Sequence, residues 1–209
     1  MQKLFFYPLC MSCERAAVIE NTLCMSCTKH LFSSLQSNSN DVLLRHNELT
    51  SRLWGSVRQE KNSRSYKILW RLYRKKSALK HLAKQEGIDS LVLVPSSKRQ
   101  NYSGMEIFAH AIAIDLGLEF CSAVLEKTES RAQHGLRAKE RLDTPLFIKL
   151  SSGAENKVAG KRILLFDDVC TTGTSLFQAE VVLRKAGAIF VLPYTLLKKE
   201  LKKFEGEEN

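Results

Sequence analysis

Two groups of residues in this chain have the types and spacing to do chemistry. Asp167 and Asp168 stand side by side after the apolar run 163–166, and Thr171, Thr172, Gly173, Thr174 and Ser175 follow them. Each carboxylate can accept hydrogen bonds from the vicinal hydroxyls of a sugar, and the hydroxyl side chains can donate to phosphate oxygens. Gly173 lets the backbone come close to a ligand. The second group is Cys10-x-x-Cys13 with Cys24-x-x-Cys27. Two such pairs can direct four thiolates at one tetrahedral zinc, in a closed structural site with no open coordination position. Disulfides are the weaker explanation in a cytoplasmic protein, and a paired arrangement favours zinc over a redox motif. His30, just beyond the fourth cysteine, reads as a bystander.

These residues need elements to hold them. The run 163–166 reads as a short buried strand. Leu176, Ala179, Val182 and Leu183 recur at helical spacing behind the polar loop. A strand, a loop and a helix in that order place an anion at the helix N-terminus, where free N–H groups and the helix dipole favour it. The plainer reading of the same residues is a polar turn capping a helix, with two ordinary loop acids. From about residue 82 onwards strands and helices alternate, as in an α/β domain with a parallel sheet. Residues 90–95 read as its first buried strand, 105–116 as an apolar-faced helix, 123–125 as a short strand and 189–197 as the strand after the helix that carries Leu176 to Leu183. Ligands of such sheets bind beyond the carboxyl ends of the strands, where Lys98 and Arg99 also fall.

The chain has 209 residues, of which 44% are hydrophobic, enough for a real core. No stretch approaches the roughly 20 apolar residues of a membrane span. Residues 1–9 lack the basic region and cleavage site of a signal peptide, so a cytoplasmic location is the default. The charge is concentrated. Between residues 51 and 84 eleven basic residues face one acid, Glu60, an excess equal to the +10 of the whole chain. Trp54, Tyr66, Trp70 and Tyr73 are interleaved with them. A single-stranded nucleic acid could use such a surface, with Arg71, Arg74, Lys75, Lys76 and Lys80 on its phosphates and aromatic rings on its bases. Yet Tyr66, Leu69, Trp70 and Tyr73 also fall at i, i+3, i+4 and i+7. That spacing makes them one apolar face of a surface helix, and burial is the favoured reading for most of these rings. Residues 33–40 are polar and of low complexity, as a linker would be.

The string from Ile163 to Ser175 resembles the 5-phosphoribosyl-1-pyrophosphate (PRPP) signature of type I phosphoribosyltransferases. Over nearly its whole length the chain resembles the ComF family, the phosphoribosyltransferase-like proteins of bacterial competence. That family places a four-cysteine zinc knuckle first, then a basic connecting region, then the PRPP-type domain. The resemblance divides the chain into a knuckle over 1–32, a linker and basic helical connector over 33–84, the transferase-like α/β domain over 85–200 and a charged tail over 201–209. Ser130, Gln133, Leu136 and Arg141 fit a further family pattern, with serine for threonine. One departure stands out. Where the family carries Arg-Gly-Phe-Asn-Gln, this chain has Ser103-Gly104-Met105-Glu106-Ile107.

The resemblance implies that Asp167 and Asp168 bind ribose hydroxyls and that Thr171 to Ser175 wrap the 5′-phosphate. Lys98 and Arg99 would meet the pyrophosphate, and Mg²⁺ would accompany PRPP. Arg131, Gln133, Arg137 and Arg141 would belong to a segment, 127–142, that closes over the site. Two functions follow as expectations. One is transfer of the phosphoribosyl group to a nitrogen nucleophile, in nucleotide salvage or in competence. The other is a non-catalytic transferase fold that handles single-stranded DNA in transformation and docks on competence-machinery proteins. A transcriptional regulator on the same fold is a third possibility.

Overall fold

The computed structural model describes residues 9–10, 12–15, 23–36, 41–58, 63–76, 78–95, 104–128 and 147–199. Lys98, Arg99, Arg131, Gln133, Arg137 and Arg141 lie outside them. The apolar runs become a five-stranded parallel sheet in the order β1-β7-β6-β2-β3. Its strands are β1 (Val42–Arg45), β2 (Ser90–Leu93), β3 (Glu119–Cys121), β6 (Arg162–Cys170) and β7 (Phe190–Lys198). A separate antiparallel ribbon pairs β4 (Leu125–Lys127) with β5 (Ile148–Leu150). The fold class is therefore α/β, as expected, with a four-cysteine cluster ahead of it.

Three elements differ from the sequence reading. Residues 90–93 are not the first strand: Val42–Arg45 precedes them, pairing with β7 at the sheet edge inside the stretch read as a connector. The strand expected at 123–125 is divided. β3 ends at Cys121, Ala123 takes a left-handed turn with φ 54°, and β4 begins at Leu125. The third difference matters most for the site. β6 does not stop at Phe166 but runs on to Cys170, so Asp167, Asp168 and Cys170 belong to the strand and not to the loop.

Helices cover both faces. On one lie α2 (Glu48–Arg58), α3 (Ser63–Lys76), α4 (Leu79–Gln85) and α5 (Gly104–Leu116), packed on Leu91, Leu164, Phe166 and Leu196. The other carries α7 (Thr174–Lys185) against Ile163, Leu165 and Val191, with the short α6 (Glu155–Val158) nearby. Phe108 of α5 is fully buried and forms the hub of the first layer. The rings of Trp54, Tyr66 and Trp70 meet it edge-on at 5.6, 5.5 and 5.9 Å. Leu69 and Tyr73 are buried on the same face of α3. The aromatic periodicity thus reports a core face, and Trp54, 3% exposed, is not available for base stacking.

The amino-terminal segment joins this layer. α1 (Met25–Ser33) starts directly after Cys24, and its exit folds back on β1 through a Leu35–Leu44 bridge. Asn47 then caps α2. Its side-chain oxygen accepts from the Thr50 N–H at 3.0 Å, and the Thr50 hydroxyl accepts from the Asn47 N–H at 2.9 Å. Such reciprocal caps satisfy N–H groups that a helix start leaves unpaired. Among the described residues no helix is long and apolar enough to cross a membrane.

Candidate functional site

The sheet order opens a crevice at one place. After β2 the chain turns through α5 to β3 on one side, whereas after β6 it turns through α7 to β7 on the other. The point where crossovers diverge, beyond the carboxyl ends of β2 and β6, is where open α/β sheets bind ligands. Register sharpens this. β2 ends at Leu93 opposite Phe166, while β6 continues beside β7, with Asp167 opposite Thr195 and Val169 opposite Leu197. The two acids therefore sit on an overhang of β6 that is paired on one side by β7 and passes the end of β2 on the other.

Side chains alternate across a strand, so neighbouring acids face opposite layers. Asp168 follows Phe166 toward α2, where Trp54 Nε1–H donates to its Oδ2 at 2.9 Å and Arg58 Nη1 lies 3.3 Å from the same oxygen. Asp167 follows Leu165 toward the layer of α7. Its Oδ1 accepts the backbone N–H of Asp168 at 2.8 Å. Burial, reinforced by the charge of Asp168, pushes the Asp167 carboxyl up to about 7, although that backbone bond and Lys127 pull the other way.

The turn into α7 takes three residues. Gly173 holds φ 80°, a left-handed conformation that costs glycine nothing, and its carbonyl accepts the Phe177 N–H at 2.9 Å. Thr171 and Thr172 are exposed, Thr174 and Ser175 half-buried, and the hydroxyls of Thr172 and Thr174 lie 2.9 Å apart. Thr174 opens α7, so these hydroxyls ring a helix N-terminus whose first N–H groups have no partner within the helix. Gln178, buried on the same helix, accepts the Phe147 N–H at 3.2 Å and ties α7 to the ribbon. The ribbon's Lys127 also lies over the Phe147 ring, 5.5 Å from its centre.

Far from this crevice in sequence, Cys10, Cys13, Cys24 and Cys27 bring their sulfurs within 4.8 Å of one another. Cys13 and Cys24 sulfurs are 3.9 Å apart. A tetrahedron with bonds of about 2.3 Å has edges of about 3.8 Å, so the cluster suits a metal such as zinc. The Cys24 N–H donates to the Cys10 sulfur at 3.3 Å. Burial opposes the Cys10 thiolate, but N–H groups of Cys13, Cys24 and Ser12 bring that thiol down to about 6. Burial and the neighbouring thiols push Cys27 up to about 12. His30 is exposed and outside the cluster.

No family model matches the chain. Over 82 residues it is 37% identical to the Competence protein ComFC of Streptococcus pneumoniae. Over that stretch the chain is similar to ComFC. The matched stretch is 39% of this chain and spans about a third (36%) of the length of that relative. Among solved structures, adenine phosphoribosyltransferase from Saccharomyces cerevisiae is 16% identical with TM-score 0.42, covering 84% of this chain and 89% of that one. A Trypanosoma cruzi hypoxanthine phosphoribosyl transferase is 12% identical with TM-score 0.44, covering 72% and 67%.

The structure brings together Asp167, Asp168 and the Thr171–Ser175 turn, and adds Trp54, Arg58, Lys127 and Gln178, which sequence reasoning did not place there. Of the basic-surface candidates, Arg71, Arg74, Lys75 and Lys80 are exposed on α3 and α4, with Arg74 and Lys80 at 3.6 and 3.9 Å from Asp115. Lys76 ends α3.

The raised Asp167 carboxyl makes a thermodynamic prediction. An acid whose pKa rises on folding costs stability when it ionises. That stability is whole below the ordinary value near 4, declines as pH rises, and is gone above about 7. Asp167→Asn removes the ionisation and keeps the acceptor oxygen. The variant should match wild type near pH 4 and exceed it at pH 8 by on the order of 2–4 kcal/mol. Thermal unfolding across that range checks this, and a gap that does not change with pH would contradict it.

Proposed function

We propose that the chain binds PRPP or a close phosphoribosyl ligand in the crevice at the ends of β2 and β6. The observation that carries the reading is the acid pair on the β6 overhang, leading through left-handed Gly173 into the N-terminus of α7. Asp167 and Asp168 accept the ribose hydroxyls, and the Thr171–Ser175 turn holds the 5′-phosphate through hydroxyls and free helix N–H groups. Lys98 and Arg99 are the candidates for the diphosphate, and Arg131, Gln133, Arg137 and Arg141 for a segment that covers it. Mg²⁺ supplies charge neutralisation of the diphosphate, and zinc on the four cysteines supplies structural cross-linking. The setting is cytoplasmic, in competence-linked DNA uptake or nucleotide salvage, with a nitrogen nucleophile displacing pyrophosphate at C1 if turnover occurs.

Calorimetric titration with PRPP and Mg²⁺ tests the reading. Saturable binding by the wild type is expected, with a loss of at least a hundredfold in the Asp167→Asn/Asp168→Asn variant, since each lost bond to a charged acceptor is worth about 1.5–3 kcal/mol. A folded wild type that does not bind PRPP rejects it.

The outward face of α3 favours a second reading. Arg71, Arg74 and Lys75 project there beyond the aromatic face, in the pattern of a phosphate-tracking surface for single-stranded DNA. Charge reversal at Arg71, Lys75 and Lys80 should then abolish most binding to single strands and flatten its salt dependence. Unchanged affinity removes DNA contact at this surface.

A further inference from the structure

Building on the PRPP reading of the crevice, we propose that Trp54 is a positioning residue for the ligand. Its indole N–H, with Arg58 beside it, holds Oδ2 of Asp168 so that Oδ1 is left to accept a sugar hydroxyl. The bond joins residues 114 positions apart and lies in the interior: Trp54 is 3% exposed and Asp168 8%. A buried indole needs an acceptor, but a backbone carbonyl would serve for that alone. Here the acceptor is one of the two acids on the β6 overhang. The terminal torsion of aspartate is broad, so an unpartnered carboxylate samples many orientations, and a donor on one oxygen selects among them. Both α2 contacts fall on the same oxygen, Oδ2. Trp54 and Arg58 are four residues apart and thus share a helix face.

The donor is itself held rigidly. Trp54 meets Phe108 edge-on, Asn47 caps the helix that carries it, and Arg52 donates from that helix to the Ser12 carbonyl at 2.7 Å. Gly104, at the start of α5, presses on the carbonyl of Val57, one residue before Arg58. An orienting group on a helix locked from several directions is what a preorganised site requires. α2 therefore belongs to the ligand site and is not merely a connector ahead of it.

The test is Trp54→Phe, which keeps a smaller aromatic ring in the core and removes the N–H, with PRPP and Mg²⁺ as the probe and ¹⁵N-indole labelling as a second readout. The chain has two tryptophans, so the variant also assigns the Trp54 signal. The variant is expected to bind PRPP about 10–100-fold more weakly, the effect of a hydrogen bond to a charged acceptor. In the wild type the Trp54 indole N–H resonance should move on saturation with PRPP. A tryptophan that merely packs the core would leave that resonance in place. Wild-type affinity in Trp54→Phe, or an indole signal indifferent to bound PRPP, overturns the proposal. A wild type that fails to bind PRPP rejects the reading of the site first, and is distinguished by appearing without any substitution. If Trp54→Phe does not fold, Arg58→Met, at a side chain 43% exposed, takes the same titration while the wild-type indole readout stands.

Discussion

Gly104→Ala is expected to lower the stability of this protein by about 2–3 kcal/mol, or roughly 5–10 °C in Tm, and to weaken PRPP binding at least tenfold. A Cβ on Gly104 would lie 1.9 Å from the Val57 carbonyl oxygen and 2.7 Å from its carbon. Those are backbone atoms and cannot rotate away, so α2 and α5 must separate. Alanine's better helix propensity, about 1 kcal/mol, is too small to offset that. Separation carries Trp54 and Arg58 away from Asp168, which is why ligand affinity should fall with stability. Gly55, in the middle of α2 with nothing within 4 Å of its Cβ position, is the internal control. Gly55→Ala should stabilise by up to about 1 kcal/mol and leave binding intact. Thermal unfolding and PRPP titration of both variants decide the matter. A Gly104→Ala protein as stable as wild type would show that the two helices are not in this close contact.

The contrast between these glycines marks what could be read from the chain and what could not. Gly173 was legible because its role is local: a strand, a small-residue turn and a helix follow one another in sequence. Gly104 has no positive φ, and its reason is the backbone of a helix about fifty residues earlier. Trp54 illustrates the same limit. Its place among the cations left base stacking open beside the favoured burial, but nothing in the sequence pointed to its partner 114 residues away, Asp168. The aromatic face of α3 was legible from its period, because burial is written into i, i+3, i+4 and i+7. The length of β6 was not. Asp167 and Asp168 look like the end of a strand, yet β7 continues alongside them and supplies the pairing that polar residues alone do not announce. β1 was hidden for another reason: its short apolar run Val42-Leu43-Leu44 directly follows the polar stretch that reads as a linker.

Metal removal should have the other large effect, and it should reach the crevice. The chain is expected to carry about one zinc on Cys10, Cys13, Cys24 and Cys27. Structural zinc in small knuckles contributes about 10–16 kcal/mol to folding of its segment. Without it, four sulfurs lie within 4.8 Å of one another with no cation between them. Cys10, Leu23 and Leu31 are buried in the same apolar cluster as Trp54 and Phe108. The Arg52 bond to the Ser12 carbonyl, between the first two cysteines, joins the cluster to α2 at 2.7 Å. Chelation should therefore release α1 and the knuckle, loosen α2, and weaken PRPP binding although no residue of the crevice has changed. Hydrogen exchange should rise in residues 23–36 and 48–58 while β6 and β7 stay protected, since the centre of the sheet does not depend on the cysteines. Cys24→Ser should reproduce the pattern. Equal exchange in α2 and equal PRPP affinity with and without chelator would show that the cluster and the crevice are independent. A coupled loss would make the cysteine cluster part of what holds Asp168 in place.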